Sequence, residues 1–226
     1  MKTAIIIGAT GLIGNQLLEL LCVNSEFNKI HIITRTAPNK FSESIDHISL
    51  DNGNYTIPKK VDMAFCCLGT TMKKAGSKEA FRAVDLHMVI NFAKKAKDAG
   101  VKRFAVVSSI GANPKSSNFY LKTKGQMEEE LKRLGFDRLA ILRPSLLLGI
   151  RKEKRISEDI GKVLYSIFRF IFVGPLKKYR GIHARDVAKA MIALTGKGEG
   201  SFVVESSSLI LFSKHYDESM ISNVSN

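Results

Sequence analysis

No stretch of this chain is apolar for long enough to cross a bilayer. The longest late run, residues 163–173, contains Arg169 and falls short of the roughly 20 residues a spanning helix needs. An earlier run, residues 4–7, is cut off at Gly8, and no small-residue cleavage site follows, so it does not read as a secretory leader. Cysteine is scarce: Cys22, Cys66 and Cys67 are the only three, two of them adjacent. An odd count without a C-x-x-C pair or a metal-ligand cluster reads as free thiols in a reducing compartment, and a cytoplasmic protein is the expectation. Zinc-finger spacing, internal repeats and low-complexity segments are also absent. Acids are under-represented, 21 against 35 Lys and Arg, for a formal charge of +14. The cations are scattered, as at Lys73–Lys74, Lys94–Lys95 and Lys177–Lys178, which describes a basic solvated surface attractive to anions and not a nucleic-acid arm.

What remains is 226 residues of ordinary globular composition, 45% hydrophobic and 25% charged. Short β-like runs alternate with helical patterns. Residues 4–7 read as a strand buried on both faces, 12–23 as a helix, and 30–34, 45–50 and 61–68 as strands. A helix over 77–99 stops at Gly100, a strand over 104–109 follows, then a helix over 119–134 and a strand over 139–142. This order predicts an α/β fold, a doubly wound parallel sheet with helices on both faces. Past Gly149 the pattern changes to a charged loop over 151–154, a helical stripe over 160–173, a helix over 184–194 and a strand over 201–204. One domain over 1–212 is expected, with about 150–205 forming a small substrate-side subregion. The polar tail 213–226 is expected to fray.

Between the first strand and first helix lies Gly8-Ala9-Thr10-Gly11-Leu12-Ile13-Gly14. Glycines there permit a tight turn and a close approach of backbone to a pyrophosphate, and the following helix offers free N–H groups and the positive end of its dipole. The strand–turn–helix setting makes this a Rossmann-type dinucleotide site with Gly8, Thr10, Gly11, Leu12, Ile13 and Gly14 as contacts; a purely structural turn is the alternative. Strand two ends in Thr34-Arg35-Thr36 with no acid. A carboxylate there suits the ribose hydroxyls of NAD(H), a cation the 2′-phosphate of NADP(H), so Arg35 favours NADP(H) over NAD(H). An Arg35 merely solvated at the strand end is the other reading. Asp51 is placed for the adenine amino group or for a simple turn, and Leu68, Gly69, Thr70 and Thr71 for the adenosine side.

Tyr120 and Lys124 stand at i and i+4 and share a helix face. A nearby ammonium favours phenolate, so the tyrosine can exchange a proton with a carbonyl or alcohol oxygen as hydride moves at a nicotinamide. Ser108 or Ser109, at the end of strand five, offers a hydroxyl for the same oxygen. With Gly8-x-x-Gly11-x-x-Gly14, Ser108–Ser109, Tyr120-x-x-x-Lys124, Arg143–Pro144 and Ile182-His183-Ala184-Arg185-Asp186-Val187-Ala188, the chain resembles the short-chain dehydrogenase/reductase superfamily in its atypical or extended branch over about its first 195 residues. Phe65-Cys66-Cys67-Leu68-Gly69-Thr70-Thr71, Lys74-Ala75-Gly76, Ser116-Ser117-Asn118-Phe119 and Arg143-Pro144-Ser145-Leu146-Leu147-Leu148 resemble, more narrowly, the TIP30/CC3 group and its bacterial relatives.

The resemblance implies NADP(H) binding, a Ser-Tyr-Lys site, and Tyr120, Lys124, Arg143 and Pro144 beside the cofactor. It also implies that members of the group are often binders or regulators. Better-characterised reductases often carry an Asn on the helix after strand four; here that helix offers Asp85, His87 and Asn91, with no assignment among them. His183 reads as structural or as part of the substrate pocket. Cys66 and Cys67 read as small apolar residues. The stripe over 160–173 reads as a cleft cover or core contact, with a membrane-surface role as the alternative. The function expected is an NADP(H)-dependent oxidoreductase acting on an unidentified carbonyl or alcohol. The alternative is an NADP(H)-binding regulatory or scaffold protein. No metal is expected, and oligomerisation is left open.

Overall fold

Strand β1 (Lys2–Ile7) shows why this chain builds a sheet covered on both sides. Ala4, Ile5, Ile6 and Ile7 are all buried, and successive side chains point to opposite faces. Ala4 and Ile6 accordingly enter one apolar cluster and Ile5 and Ile7 the other. The computed structural model describes residues 1–37, 43–51, 53–148, 181–196 and 198–224.

After β1 come α1 (Leu12–Val23), β2 (Phe27–Thr34), β3 (Ile45–Ser49) and β4 (Met63–Cys66). A short α2 (Met72–Ala75), α3 (Lys78–Arg82), a π-helical turn (Ala83–Met88) and α4 (Val89–Asp98) lead to β5 (Arg103–Val107). The second half holds α5 (Phe119–Arg133), β6 (Arg138–Arg143), β7 (Leu147–Leu148), β8 (Ile182–His183), α6 (Ala184–Gly196), β9 (Gly200–Glu205) and α7 (Ser206–Val224). Seven strands form one sheet in the order β3-β2-β1-β4-β5-β6-β9, every neighbouring pair parallel. β7 and β8 form a separate two-stranded parallel ladder.

Parallel neighbours require crossovers, and the helices supply them on both faces. Leu17 and Leu21 of α1 pack with Val187 and Met191 of α6 on one side of the sheet. Phe92 and Ala93 of α4 pack with Met127 and Leu131 of α5 on the other. The strand order reverses between β1 and β4, so a crevice opens at their carboxyl ends, where Gly8 and Cys67 meet; this is where such sheets take ligands.

The doubly wound α/β architecture expected from the sequence is therefore present. The helix expected over 77–99 is present without a gap over 78–98, with a π-helical turn in its middle that inserts an extra residue. One local expectation is corrected. Instead of fraying beyond Ser213, the chain continues as α7, with Leu209, Ser213 and Tyr216 buried. The tail's polar composition hides an apolar stripe, Leu209, Phe212, Tyr216 and Met220, which packs on the α1–α6 side. Ser213 Oγ donates to Asp186 and Lys189 pairs with Asp217, tying α7 to α6. The loop and helix expected over 151–173, and the cofactor-side boundary at Gly149, lie outside the described residues.

Candidate functional site

The glycine turn is a cradle defined by missing side chains. Gly8 has φ +83°, and a Cβ there would lie 2.7 Å from the Cys67 carbonyl carbon and oxygen. A Cβ on Gly14 would overlap the Gly8 carbonyl, so α1 seats on the turn only with hydrogen at this position. Gly11 N–H donates to Gly8 O at 3.0 Å, and Gly11 O accepts from Asn15 N–H at 2.9 Å. Gly11 is the N-cap residue of α1 and has no side chain to satisfy the helix's first N–H groups; the first turn carries no acid. Among the described residues, no side chain caps those N–H groups at the positive end of the dipole. A close backbone approach, uncapped donors and an absence of negative charge fit the pyrophosphate of a dinucleotide. Thr10 and Gly11 are exposed and Leu12 half-buried, whereas the Ile13 side chain turns into the core, leaving its backbone for a ligand.

Arg35 is exposed immediately beyond β2, on the same carboxyl edge of the sheet. Thr34 shapes this turn: its hydroxyl donates to Thr36 O at 2.8 Å and its carbonyl accepts from Leu50 N–H at 3.0 Å. Asp51 is exposed and forms a small turn, exchanging backbone hydrogen bonds with Asn54. After β4, Leu68 is half-buried and Gly69 exposed. Thr70 and Thr71 have internal duties. Thr70 N–H donates to Asp85 Oδ2 at 2.8 Å, and the Thr71 hydroxyl caps α2 by accepting from Lys74 N–H at 3.1 Å.

On α5, Tyr120, Lys124 and Glu128 recur at intervals of four and form one stripe. Tyr120 is half-buried against Phe81, ring centroids 5.4 Å apart. Lys124 is buried, with its Nζ 2.7 Å from the Oδ1 of Asp85, itself 1% exposed. The approach at Oδ1 is that of an ion pair, not an aligned hydrogen bond; the aligned bond to this carboxylate is the Thr70 N–H on Oδ2. Burial alone pushes the Lys124 ammonium toward neutrality, but Asp85, followed by Tyr120, outweighs it and raises its pKa, so Lys124 stays charged.

The paired serines part company at the end of β5. Ser108 is buried and its hydroxyl donates to Glu128 Oε1 at 2.5 Å. Ser109 is half-buried, and its Oγ makes only a 3.4 Å contact with the carbonyl of Ile110. The Arg143 guanidinium is engaged internally. Its Nε and Nη2 clasp both oxygens of Glu128 at 2.9 and 2.6 Å, Nη1 reaches Glu205 at 3.0 Å, and Nη2 also donates to Ala112 O at 2.9 Å. Pro144 is buried, its carbonyl accepting from Ile110 N–H at 3.1 Å. The Ser108 hydroxyl and the Arg143 guanidinium, expected at the site, are engaged by the carboxylate of Glu128, and the Pro144 carbonyl is engaged by Ile110 N–H.

Sequence reading left Asp85 unassigned and overlooked Glu128. An acid four residues after Lys124 was the available signal for Glu128; for Asp85 it was the spacing Phe81, Asp85, Val89, which puts the acid on the apolar face of its helix. Also overlooked was Gly125, where a Cβ would overlap the backbone nitrogen of Pro114. Cys66 is fully buried, its thiol pushed up to about 12 by burial, and Cys67 is raised well above its ordinary value for the same reason, as inert thiols should be. His183 is exposed on β8.

A family model described as NAD(P)H-binding matches residues 8–196. Protein FMP52, mitochondrial, of Meyerozyma guilliermondii is 36% identical over 196 residues, covering 84% of this chain and 83% of its own. Protein HTATIP2 of Rattus norvegicus is 36% identical over 173 residues, covering 73% of this chain and 71% of its own. Among solved structures, human epimerase family protein SDR39U1 with NADPH aligns with a TM-score of 0.62 at 18% identity, over 90% of this chain and 74% of that one. UDP-N-acetylglucosamine 4-epimerase from Methanobrevibacter ruminantium aligns with a TM-score of 0.68 at 19% identity, over 90% and 76%. These structural likenesses bear on the fold. The cytoplasmic expectation is corrected by the several yeast relatives named mitochondrial. Free thiols report a reducing environment, and that chemistry does not single out the cytosol.

Proposed function

Because this chain belongs to the NAD(P)H-binding family, in the short-chain dehydrogenase/reductase group that includes the HTATIP2 and FMP52 proteins, we propose that it is an NADP(H)-dependent oxidoreductase using Tyr120 to move a proton at a substrate carbonyl. The observation that carries this reading is the shared edge: the uncapped N-terminus of α1 over its glycine cradle and the Tyr120–Lys124 stripe of α5 both follow carboxyl ends of strands beside the β1–β4 crevice. Gly8, Gly11 and the first N–H groups of α1 hold the pyrophosphate, and Arg35 takes the 2′-phosphate. When bound, the reduced dinucleotide supplies a hydride to the carbonyl carbon. Tyr120 gives its hydroxyl proton to the carbonyl oxygen and regains one from solvent, while the Ser109 hydroxyl orients that oxygen. Lys124 keeps a positive charge beside the phenol. By analogy with its yeast relatives the protein works in mitochondria.

Fluorescence titration with NADPH and NADH, on the native protein and on Arg35→Glu, tests the cofactor: NADPH should bind more tightly, and the variant should reverse the preference. Tyr120→Phe should abolish turnover of aldehydes and ketones with NADPH affinity retained; unchanged turnover rejects the role of Tyr120. Asp85 supports a second reading, a cofactor-bound regulator with little turnover, since the ammonium that would assist Tyr120 is already paired with a carboxylate. That reading expects NADPH binding with no turnover by the native protein across a broad carbonyl panel.

A further inference from the structure

The turn that carries Ser109 is held at both ends and at its middle. Ser108 N–H donates to Leu142 O at 2.7 Å, Ile110 N–H to Pro144 O at 3.1 Å, and Ala112 N–H to Ser109 O at 3.1 Å. The Ala112 carbonyl accepts from Arg143, and the Ser108 hydroxyl is spent on Glu128. The Ser109 hydroxyl, among the described residues, makes one long contact inside its own turn.

These ties converge on Glu128, a carboxylate 2% exposed. Its Oε1 accepts from Ser108 and from Arg143 Nε, and its Oε2 from Arg143 Nη2. An apolar residue would fill such a position at less desolvation cost, and a buried ion pair is weak support for stability as such. What the carboxylate adds is direction. It joins α5 to the residue preceding Ser109, and through Arg143 it reaches the Ala112 carbonyl at the far end of the same turn and Glu205 at the end of β9. Because Tyr120, Lys124 and Glu128 lie on one stripe of one helix, fixing Glu128 also fixes where the phenol stands relative to that turn.

We infer that Glu128 is a positioning residue: acting through Ser108 and Arg143, it sets the Ser109 hydroxyl and the Tyr120 phenol in register across the strand-to-helix turn. The inference rests on the oxidoreductase reading for its catalytic consequence, though not for its geometry. It differs from the roles given to Tyr120, Lys124 and Ser109 because Glu128 lies behind them and touches no substrate.

The test uses the full chain with three substitutions, Ser108→Ala, Ser108→Thr and Glu128→Gln. Ser108→Ala deletes one hydrogen bond and leaves the Glu128–Arg143 pair in place, so it is the variant that folds most readily; Ser108→Thr keeps the hydroxyl and serves as the rescue. Amide exchange by NMR is read at Ile110 and Ala112 and, as a global reference, at Ile5 and Ile32. In parallel, NADPH affinity and the kcat and KM for reduction of 9,10-phenanthrenequinone are measured. In Ser108→Ala, exchange at Ile110 and Ala112 should quicken at least about fivefold with the references unchanged. Its kcat should fall about tenfold to a hundredfold at unaltered NADPH affinity. Ser108→Thr should restore both, and Glu128→Gln should show the larger kcat loss.

Unchanged exchange at the turn overturns the clamp. Faster exchange with native kcat overturns the positioning role. A fall in kcat matched by uniform exchange across the sheet overturns it too, since that describes general loosening. A native protein that binds NADPH and reduces no carbonyl sinks the oxidoreductase reading instead, and the exchange arm then decides by itself whether Glu128 fixes the turn.

Discussion

Two helices leave the carboxyl edge of the sheet beside the crevice, and they begin in opposite ways. α1 starts at Gly11 with no side-chain cap and no acid in its first turn. α5 starts at Asn118, whose side-chain oxygen accepts from Leu121 N–H at 3.1 Å and closes the end. Both helices owe their close seating to an internal glycine, Gly14 against Gly8 and Gly125 against the Asn113–Pro114 backbone. What differs is the use of the terminus. On the proposed function, the terminus whose backbone N–H groups would meet the phosphates carries no cap, and the helix whose side chains would do the chemistry has its terminus satisfied and charges along its face.

The strongest challenge to this contrast strikes the α5 face. Lys124→Met strands the Asp85 carboxylate in the interior and should cost about 3–5 kcal/mol in urea unfolding at neutral pH. The pH dependence carries a sign. The folded-state pKa of Lys124 is raised, burial working against it but Asp85 prevailing. The pair's contribution is therefore complete below the ordinary lysine value, roughly 10.4, and is lost as pH climbs through the higher folded value. The native protein should show this alkaline loss of stability, and the difference curve between it and Lys124→Met should isolate it.

Next come the two glycines. Gly14→Ala and Gly125→Ala should each cost about 3 kcal/mol or more, because backbone and not a flexible side chain blocks the new methyl group. They should separate by function: Gly14→Ala should also eliminate NADPH binding, and Gly125→Ala, measured where it remains folded, should retain it. Asn118→Ala should cost only about 1 kcal/mol, the worth of a cap. The smallest effect on stability, a few tenths of a kcal/mol, is expected of Gly11→Ser, which gives α1 the cap it lacks. The serine oxygen then competes with phosphate for the same N–H groups, so calorimetry should show weaker NADPH binding. Undiminished affinity would mean that the open terminus is not the anion site.

The same contrast explains what was legible beforehand. Glycines forced by backbone contact leave a fixed spacing in the sequence, and Gly8, Gly11 and Gly14 announce a strand, a turn and a helix. Tyr120 and Lys124 were readable because helical spacing alone puts them on one face. Asp85 also stood on an apolar face, four residues from both Phe81 and Val89, but helical spacing within its own element does not say which cation of α5 it meets. Glu128 stood in a run with Glu129 and Glu130 that resembles any solvated helix surface; packing decides that the first is buried while the second is exposed. Ser108 and Ser109 are one residue apart on an extended exit from β5, so they face opposite ways, and the sequence offers no means of telling which faces inward. α7 was hidden by its serines and charges, although its apolar residues recur at helical intervals.

The sheet's two apolar faces draw on different lengths of chain. Among the described residues, the cluster under α4 and α5 contains no fully buried member later than Ile141, whereas the cluster under α1 and α6 extends to Tyr216 of α7. On a ribosome adding about 5–20 residues per second, the described members of the first cluster are all made several seconds before the last of the second. During that interval one side of the sheet is covered by α1 but not yet by α6, and Ala105 and Ala140 are among the residues of β5 and β6 in the cluster that α6 later joins. Nascent chains of this protein should thus offer chaperones a predictable surface, and truncations that end before α6 should prolong its exposure indefinitely.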